Sequence, residues 1–356
     1  MKEYKQKGGH MRYVVILSAL FIIALFIYWG CENQTTAPVK NEISSSSFSG
    51  ETDISLSVNA SPKWYADARC FLDGPTGSFD DISVKDPSIV YYGGKWHLFY
   101  TGRDANMWRM GYATASRIED LKNAQHVLIT SVNAGSYYCA PQVFWFEAKG
   151  KWYLIYQSNG ACFSTNTDIN NPNGWTPVSQ MFSASGVDFW CISDGSYVYC
   201  FWSPQDGSYT IKRRRTTVAN FPYNWEGVTT VCSGTFEAPH VYKNKADGRY
   251  YMIVEDINRY FELWTATDLN GTWTKVAEQW AAKSNLVETA EHWTDQVSHG
   301  EIIRSGYNEK MEVDNLDHCL ILIQGVVNGN YGDYYKIPYD LGLIHNYQYS
   351  SSSSSS

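Results

Sequence analysis

Three acidic residues stand out by position in this chain. Asp86 opens the stretch DPSIVYYGGKWHLFYTG, Asp188 opens DFWCISDGSYVYCFWS, and Glu237 opens EAPHVYKNKADGRYYMIVEDI. Each is followed by an apolar run, a tight turn and a second aromatic-rich run. Carboxyl groups brought together from separate segments can divide proton transfers between them, one as acid and one as base, with a third tuning the pair. That is the chemistry of glycoside hydrolysis. The same residues also serve as ordinary turn residues at strand starts, so the assignment depends on the elements that would carry them.

Those elements repeat. Ala140 opens a further copy, APQVFWFEAKGKWYLIYQS, and His299 opens a longer, looser one. The copies recur roughly every 50 residues, which is the spacing of four-stranded propeller blades. Turns at Gly93-Gly94, Lys149-Gly150-Lys151, Asp194-Gly195 and Asp247-Gly248 divide each copy into two strands. Five copies predict an all-β, five-bladed propeller over residues 61–345. The start of each copy is then the innermost strand, beside a central channel. Charged groups facing one another there are costly to desolvate unless something uses them.

The flanks are of another kind. In residues 1–31, Arg12 precedes an apolar run from Tyr13 to Trp29 that ends at Gly30-Cys31. This reads as an export signal, of lipoprotein type if Cys31 is the modified residue, or as an uncleaved anchor. Residues 32–60 include Ser44–Ser47 and read as a flexible tether. Residues 346–356, with Ser351–Ser356, read as a tail or the start of a linker. An exported domain on a tether is expected to act as a monomer and to meet a membrane only through its N-terminal segment.

A net charge of −8 argues against nucleic acid as a partner. Much of the count of fourteen Trp and 27 Tyr belongs to a β-rich core, but aromatics also stack on sugar rings, so an exported propeller rich in them favours a carbohydrate ligand. No Cys/His spacing of a zinc site occurs. Eight cysteines, less a modified Cys31, leave an odd number and therefore a free thiol; Cys191 and Cys200 flank the Asp194-Gly195 turn as a pair or as small apolar residues.

From about Lys85 to Tyr339 the chain resembles glycoside hydrolase family 62. The matching stretches, in order, include Val84-Lys85-Asp86, Ala140-Pro141, Trp152–Gln157, NPNGW at Asn171–Trp175, Phe236-Glu237-Ala238, Met252–Glu255, TATDLNGTW at Thr265–Trp273, SHG at Ser298–Gly300 and DYYKIPY at Asp333–Tyr339. The resemblance implies a five-bladed propeller and an inverting α-L-arabinofuranosidase that trims arabinoxylan. It implies Asp86 as general base, Glu237 as general acid, and Asp188 as the charge that raises the acid's pKa. Lys85, Gln157 and Tyr334 are implied in sugar binding, and His299 beside a hydrated structural Ca2+ in the channel. Two departures bear on the sugar pocket. Ser158 stands where the family carries a tryptophan, and Phe189-Trp190 follow Asp188 where a glutamine is usual. Trp190 is expected to supply the missing aromatic surface. A hydrolase for xylosides or arabinan, and an inactive carbohydrate-binding propeller, are the alternatives.

Overall fold

The computed structural model describes residues 58–66, 71–135, 137–329 and 332–347; the export segment, most of the tether and the serine tail lie outside these. Five sheets are arranged as the blades of a propeller. The innermost strands are Ser83–Tyr92, Cys139–Phe146, Val187–Ser193, Glu237–Asn244 and Ser298–Ile302, in blades 1 to 5. Their middles are buried, as strands sheathed on both faces must be.

The ring closes through a strand from the front of the domain. Trp64–Ala66 pairs antiparallel with Asp340–His345 and parallel with Leu286–Glu288, completing blade 5. Trp64 is fully buried, and its Nε1 donates to the Trp280 carbonyl at 2.7 Å. The first and last parts of the domain thus share one sheet.

Every innermost strand carries a one-residue bulge at the same place. The ladder shifts after Lys85, Cys139, Val187, Glu237 and Ser298. The next residue has positive φ in four blades: Asp86 (49°), Ala140 (50°), Asp188 (59°) and Ala238 (57°). Non-glycine residues are strained there by about 1–3 kcal/mol each and need outside support. A side chain supplies it at each blade, by accepting the N–H of the bulge residue. Asp86 N donates to Gln324 Oε1 at 3.0 Å, Ala140 N to Thr101 Oγ1 at 2.8 Å, and Asp188 N to Gln157 Oε1 at 2.8 Å. Ala238 N donates to Asp188 Oδ2 at 3.2 Å, and His299 N to Glu255 Oε2 at 2.9 Å. The register corrects one expectation. Asp86, Ala140, Asp188 and His299 are equivalent, but their counterpart in blade 4 is Ala238, so Glu237 stands one residue earlier, at the position of Lys85.

The last copy reads as loose because it contains a strap. After Ile302 the chain runs beneath the ring before returning at Leu320. The Arg304 guanidinium donates to the carbonyls of Ile89 and Val143 at 3.1 and 3.0 Å, joining blades 1 and 2. Farther on, Trp145 N donates to Tyr307 O, Ser193 N to Glu309 O, and Lys243 N to Met311 O. Glu312–Val313 then adds a parallel strand to blade 4. Met311 is wholly buried, and its sulfur meets Arg304 Nη1 and Gln142 Nε2. The strap ties all four other blades at the end of the strands remote from Asp86.

Candidate active site

The bulges aim the acids. Asp86 is 3% exposed, with Oδ1 at 3.3 Å from both Lys85 Nζ and His299 Nδ1. Lys85 is held in turn by the Tyr334 hydroxyl at 2.7 Å and lies over the rings of Trp108 and Tyr334. Burial alone would depress its ammonium, but Asp86 and then Tyr334 outweigh that and hold it well above the ordinary lysine range. His299 lies 3.9 Å from Asp188 Oδ1, and burial holds its imidazole below the usual histidine value. Asp86, Asp188, Lys85, Tyr334 and His299 therefore meet at one mouth of the channel.

Glu237 reaches the same mouth from the neighbouring position of blade 4. Its side chain is 22% exposed and lies 3.4 Å from Arg259 Nη1. Burial, then the charge of Glu255, raises its carboxyl from an ordinary 4.5 to about 7, against the pull of Arg259 and Lys85. A carboxyl poised near neutrality is suited to donating a proton. Asp188 is also raised well above the usual carboxylate range, by burial first and by Glu237 second. The two neighbouring carboxyls disfavour simultaneous ionisation. Asp188 also meets the Glu237 segment by a second route, since its Oδ2 accepts the N–H of Ala238, the residue after Glu237.

Glu255 was not legible as a site residue. It lies directly across the ladder from Glu237, is fully buried, and accepts from Arg259 Nη1 at 2.6 Å, Ser298 Oγ at 2.7 Å and His299 N at 2.9 Å. Glu255 is thus a further negative neighbour of Glu237, beside Asp188. Glu255→Gln is expected to free Arg259 to pair with Glu237 and to remove a negative neighbour, both of which lower the acid's pKa. The alkaline limb of the pH–rate profile should move to lower pH, and an unmoved limb would separate Glu255 from the acid.

The pocket walls differ from expectation at one residue. Trp190 does not reach the mouth. It is 1% exposed, its Nε1 donates to the Val241 carbonyl at 3.0 Å, and its ring stacks on His240 at 4.0 Å between blades 3 and 4. Simple alternation would have kept it on the side of Asp188, but the intervening bulge breaks the alternation. An exposed aromatic on this side of the site is Tyr137, whose hydroxyl accepts from Gln157 Nε2 at 2.6 Å. Burial raises the Tyr137 phenol, with Asp188 and Lys85 among the charges it feels. Gln157 is thus at the site, but both ends of its amide are engaged, one by Tyr137 and one by the Asp188 backbone. On the other side, Arg103 lies between the rings of Trp108 and Tyr335, each 4.7 Å away. Tyr137 could have been noticed as an aromatic three residues before Ala140, whereas Trp108 is far from Lys85 in sequence and meets it only in the fold.

Of the cysteines, Cys139, Cys162, Cys191, Cys200, Cys232 and Cys319 are free thiols buried in the fold, and Cys31 and Cys70 lie outside the described residues. Cys191 and Cys200 are cross-strand neighbours in blade 3.

Comparison with known proteins agrees with the propeller fold. The model of glycosyl hydrolase family 62 matches residues 72–345. The chain is 38% identical over 283 residues to alpha-L-arabinofuranosidase C of Cellvibrio japonicus, covering 74% of this chain and 44% of that protein. It therefore spans under half the length of that relative. Among solved structures it resembles the catalytic domain of the Coprinopsis cinerea family 62 α-L-arabinofuranosidase, with a TM-score of 0.76, 30% identity, and coverage of 81% of this chain and 98% of that one. The same values hold for the Podospora anserina α-L-arabinofuranosidase solved with cellotriose. A family 62 hydrolase solved with xylotriose gives a TM-score of 0.73 at 27% identity, covering 80% and 98%. The chain belongs to glycosyl hydrolase family 62.

Proposed function

We propose that the domain removes single α-L-arabinofuranosyl branches from arabinoxylan with inversion at the anomeric carbon. The observation that carries this reading is the gathering of Asp86, Asp188 and Glu237 at one channel mouth, with Glu237 poised near neutrality. In this reading Glu237 protonates the leaving xylan oxygen. Asp86, faced by Lys85 and His299, takes the proton of the attacking water. Asp188 holds the backbone beside the acid. Lys85, Tyr334, Trp108 and Tyr137 border the sugar, and Gln157 contributes by fixing Tyr137 and Asp188. The strap beneath the ring favours a blind pocket for one terminal sugar over a channel that threads a chain. Two structural neighbours were solved with cellotriose and with xylotriose, which supports a β-1,4-linked polymer as the ligand.

The test is product release from arabinoxylan, arabinan and xylo-oligosaccharides. Arabinose from arabinoxylan alone is expected. Xylose release, or arabinose only from arabinan, would transfer the assignment to the sugar preference that Ser158 raises, and binding without release would make this a carbohydrate-binding propeller.

The channel ion is part of the proposal. Calcium takes about six to eight oxygen ligands. His299 has carboxylates of Asp86 and Asp188 beside it, yet among the described residues the ligand atoms close enough to share an ion are those of Asp256, Glu262 and Glu278 on blade 4, where Lys275 already bridges two of them. The channel therefore fits a hydrated ion, held largely through water in the field of its carboxylates with His299 at its side. It does not fit a cage of protein ligands. When bound, the ion would supply charge balance for the buried acids. Chelation is expected to lower the melting temperature, and His299→Ala to weaken that dependence. Identical melting with and without calcium would remove the ion from the account.

Export, with a membrane anchor at Cys31 and a serine-rich tether, completes the proposal for a domain acting as a monomer on an insoluble polymer. A mature chain that starts at Cys31 and partitions with membranes is expected; a soluble form with an unmodified start would exclude the lipid.

A further inference from the structure

The face remote from the catalytic mouth carries a second group of exposed aromatic rings. The strand Ser83–Tyr92 starts near the mouth with Lys85 and Asp86 and ends at Tyr91 and Tyr92. Five residues of strand separate Asp86 from Tyr91, about 17 Å at the usual rise. There Tyr91 is directly opposite Trp96 in the blade 1 hairpin, with ring centroids 5.1 Å apart and planes inclined by 53°. Tyr91 is 49% exposed. Tyr307, on the strap, meets Tyr92 edge to face at 4.9 Å, and both are exposed. Tyr91, Trp96, Tyr307, Arg117 and Glu119 border a groove of about 660 Å³.

Shape and charge narrow the occupant. A concave groove of this size matches a small ligand or a short length of chain. A protein partner usually needs a flatter patch of about 800 Å². Arg117 Nε lies 3.4 Å from Glu119 Oε2, and Arg304, the other cation of the lining, is paired with Glu301, so the polar wall is charge-compensated and suited to hydroxyl groups more than to a charged ligand. The composition also repeats that of the catalytic mouth, where Tyr137, Tyr334 and Tyr335 are the exposed rings.

We propose that this groove is a second glycan-binding site, which takes a neutral β-linked pyranose chain with sugar faces against Tyr91 and Trp96. The inference rests on the reading that the substrate is a neutral branched polysaccharide. Because the groove opens away from the mouth, it does not present a branch to Glu237. It holds the domain to a neighbouring chain of the same material while the mouth works on another.

The experiment is a depletion assay on insoluble arabinoxylan and on linear xylan stripped of arabinose, with excess free arabinose to occupy the mouth. The full chain carrying Glu237→Gln serves as parent, so that the polymer is not altered. Adding Tyr91→Ala is expected to weaken binding on the order of tenfold. Arg117→Ala, whose side chain is 73% exposed and free of the core, should weaken it in the same direction. With Glu237 intact, Tyr91→Ala should still turn over a soluble aryl arabinofuranoside at the parent rate. Unchanged binding in both variants overturns the site, as does binding that free arabinose abolishes. The proposed activity fails separately, by absence of arabinose release from soluble arabinoxylan.

Discussion

Glu237→Gln is expected to lower kcat/KM on arabinoxylan by about 10²–10⁴-fold, the usual worth of a positioned general acid. On an aryl arabinofuranoside the loss should be much smaller, because that leaving group departs with little protonation. The contrast between the two substrates identifies a proton donor, since a residue that merely shapes the pocket would hurt both. The wild-type profile should lose activity with an alkaline limb near pH 7, where burial and Glu255 place the Glu237 carboxyl. The same shift bears on folding. A carboxyl raised from 4.5 to about 7 binds its proton more tightly in the native state than in the unfolded chain. Stability therefore declines as pH rises through that window and stays reduced above it. Glutamine resembles the protonated acid at every pH, so Glu237→Gln should melt above wild type at pH 8, with a smaller difference at pH 4. Equal losses on both substrates, or an unchanged melting difference across pH, would take the acid role away from Glu237.

The sequence carries the repeat plainly because each blade needs the same things: a buried inner strand, a tight turn and a second apolar strand. Far less legible is the frame within the repeat. Bulges at Asp86, Asp188 and Ala238 put an extra residue into each inner strand, so counting by twos from the acid assigns the later side chains to the wrong face. Trp190 is the clearest case, two residues after Asp188 and yet packed on His240. Glu237 is the converse. It lies one residue ahead of the bulge position, and still reaches the mouth because the mouth is lined by both positions, as Lys85 and Asp86 show in blade 1.

Long-range partners were hidden for a different reason. Glu255 ends a second strand whose pattern looks like any other, and only the pairing with Glu237 and the bond to His299 N give it a role. Trp64 closes blade 5 from far upstream, through a strand of three residues too short to show a period. The strap from Arg304 to Val313 has no repeat to announce it. Its polar and charged residues read as a loop, yet their backbone groups bind blades 2, 3 and 4 in turn.

Asp86→Asn should reduce activity on arabinoxylan and on the aryl arabinofuranoside alike, each by about 10²–10⁴-fold, because the water lacks its base whatever group leaves. The substitution keeps the shape of a residue that is 3% exposed and leaves its backbone bond to Gln324 in place, so the positive-φ bulge should persist. The loss is then one of proton acceptance and not of fold, which a melting curve at the same pH would show. A small anionic nucleophile such as azide needs no base to attack. It should restore turnover of the aryl substrate and give the arabinofuranosyl azide of inverted configuration, with the aryl alcohol as leaving group. The wild-type enzyme, followed by NMR from the first turnover, should likewise release the inverted sugar. An inverting pair stands about 6.5–9.5 Å apart to admit water, against about 5–5.5 Å when one carboxylate attacks the sugar itself. Were Asp86 such a nucleophile, the first product would keep its configuration and a covalent sugar would accumulate on Asp86 in the Glu237→Gln variant with the aryl substrate. Either finding would replace the base by a nucleophile and reverse the stereochemical assignment.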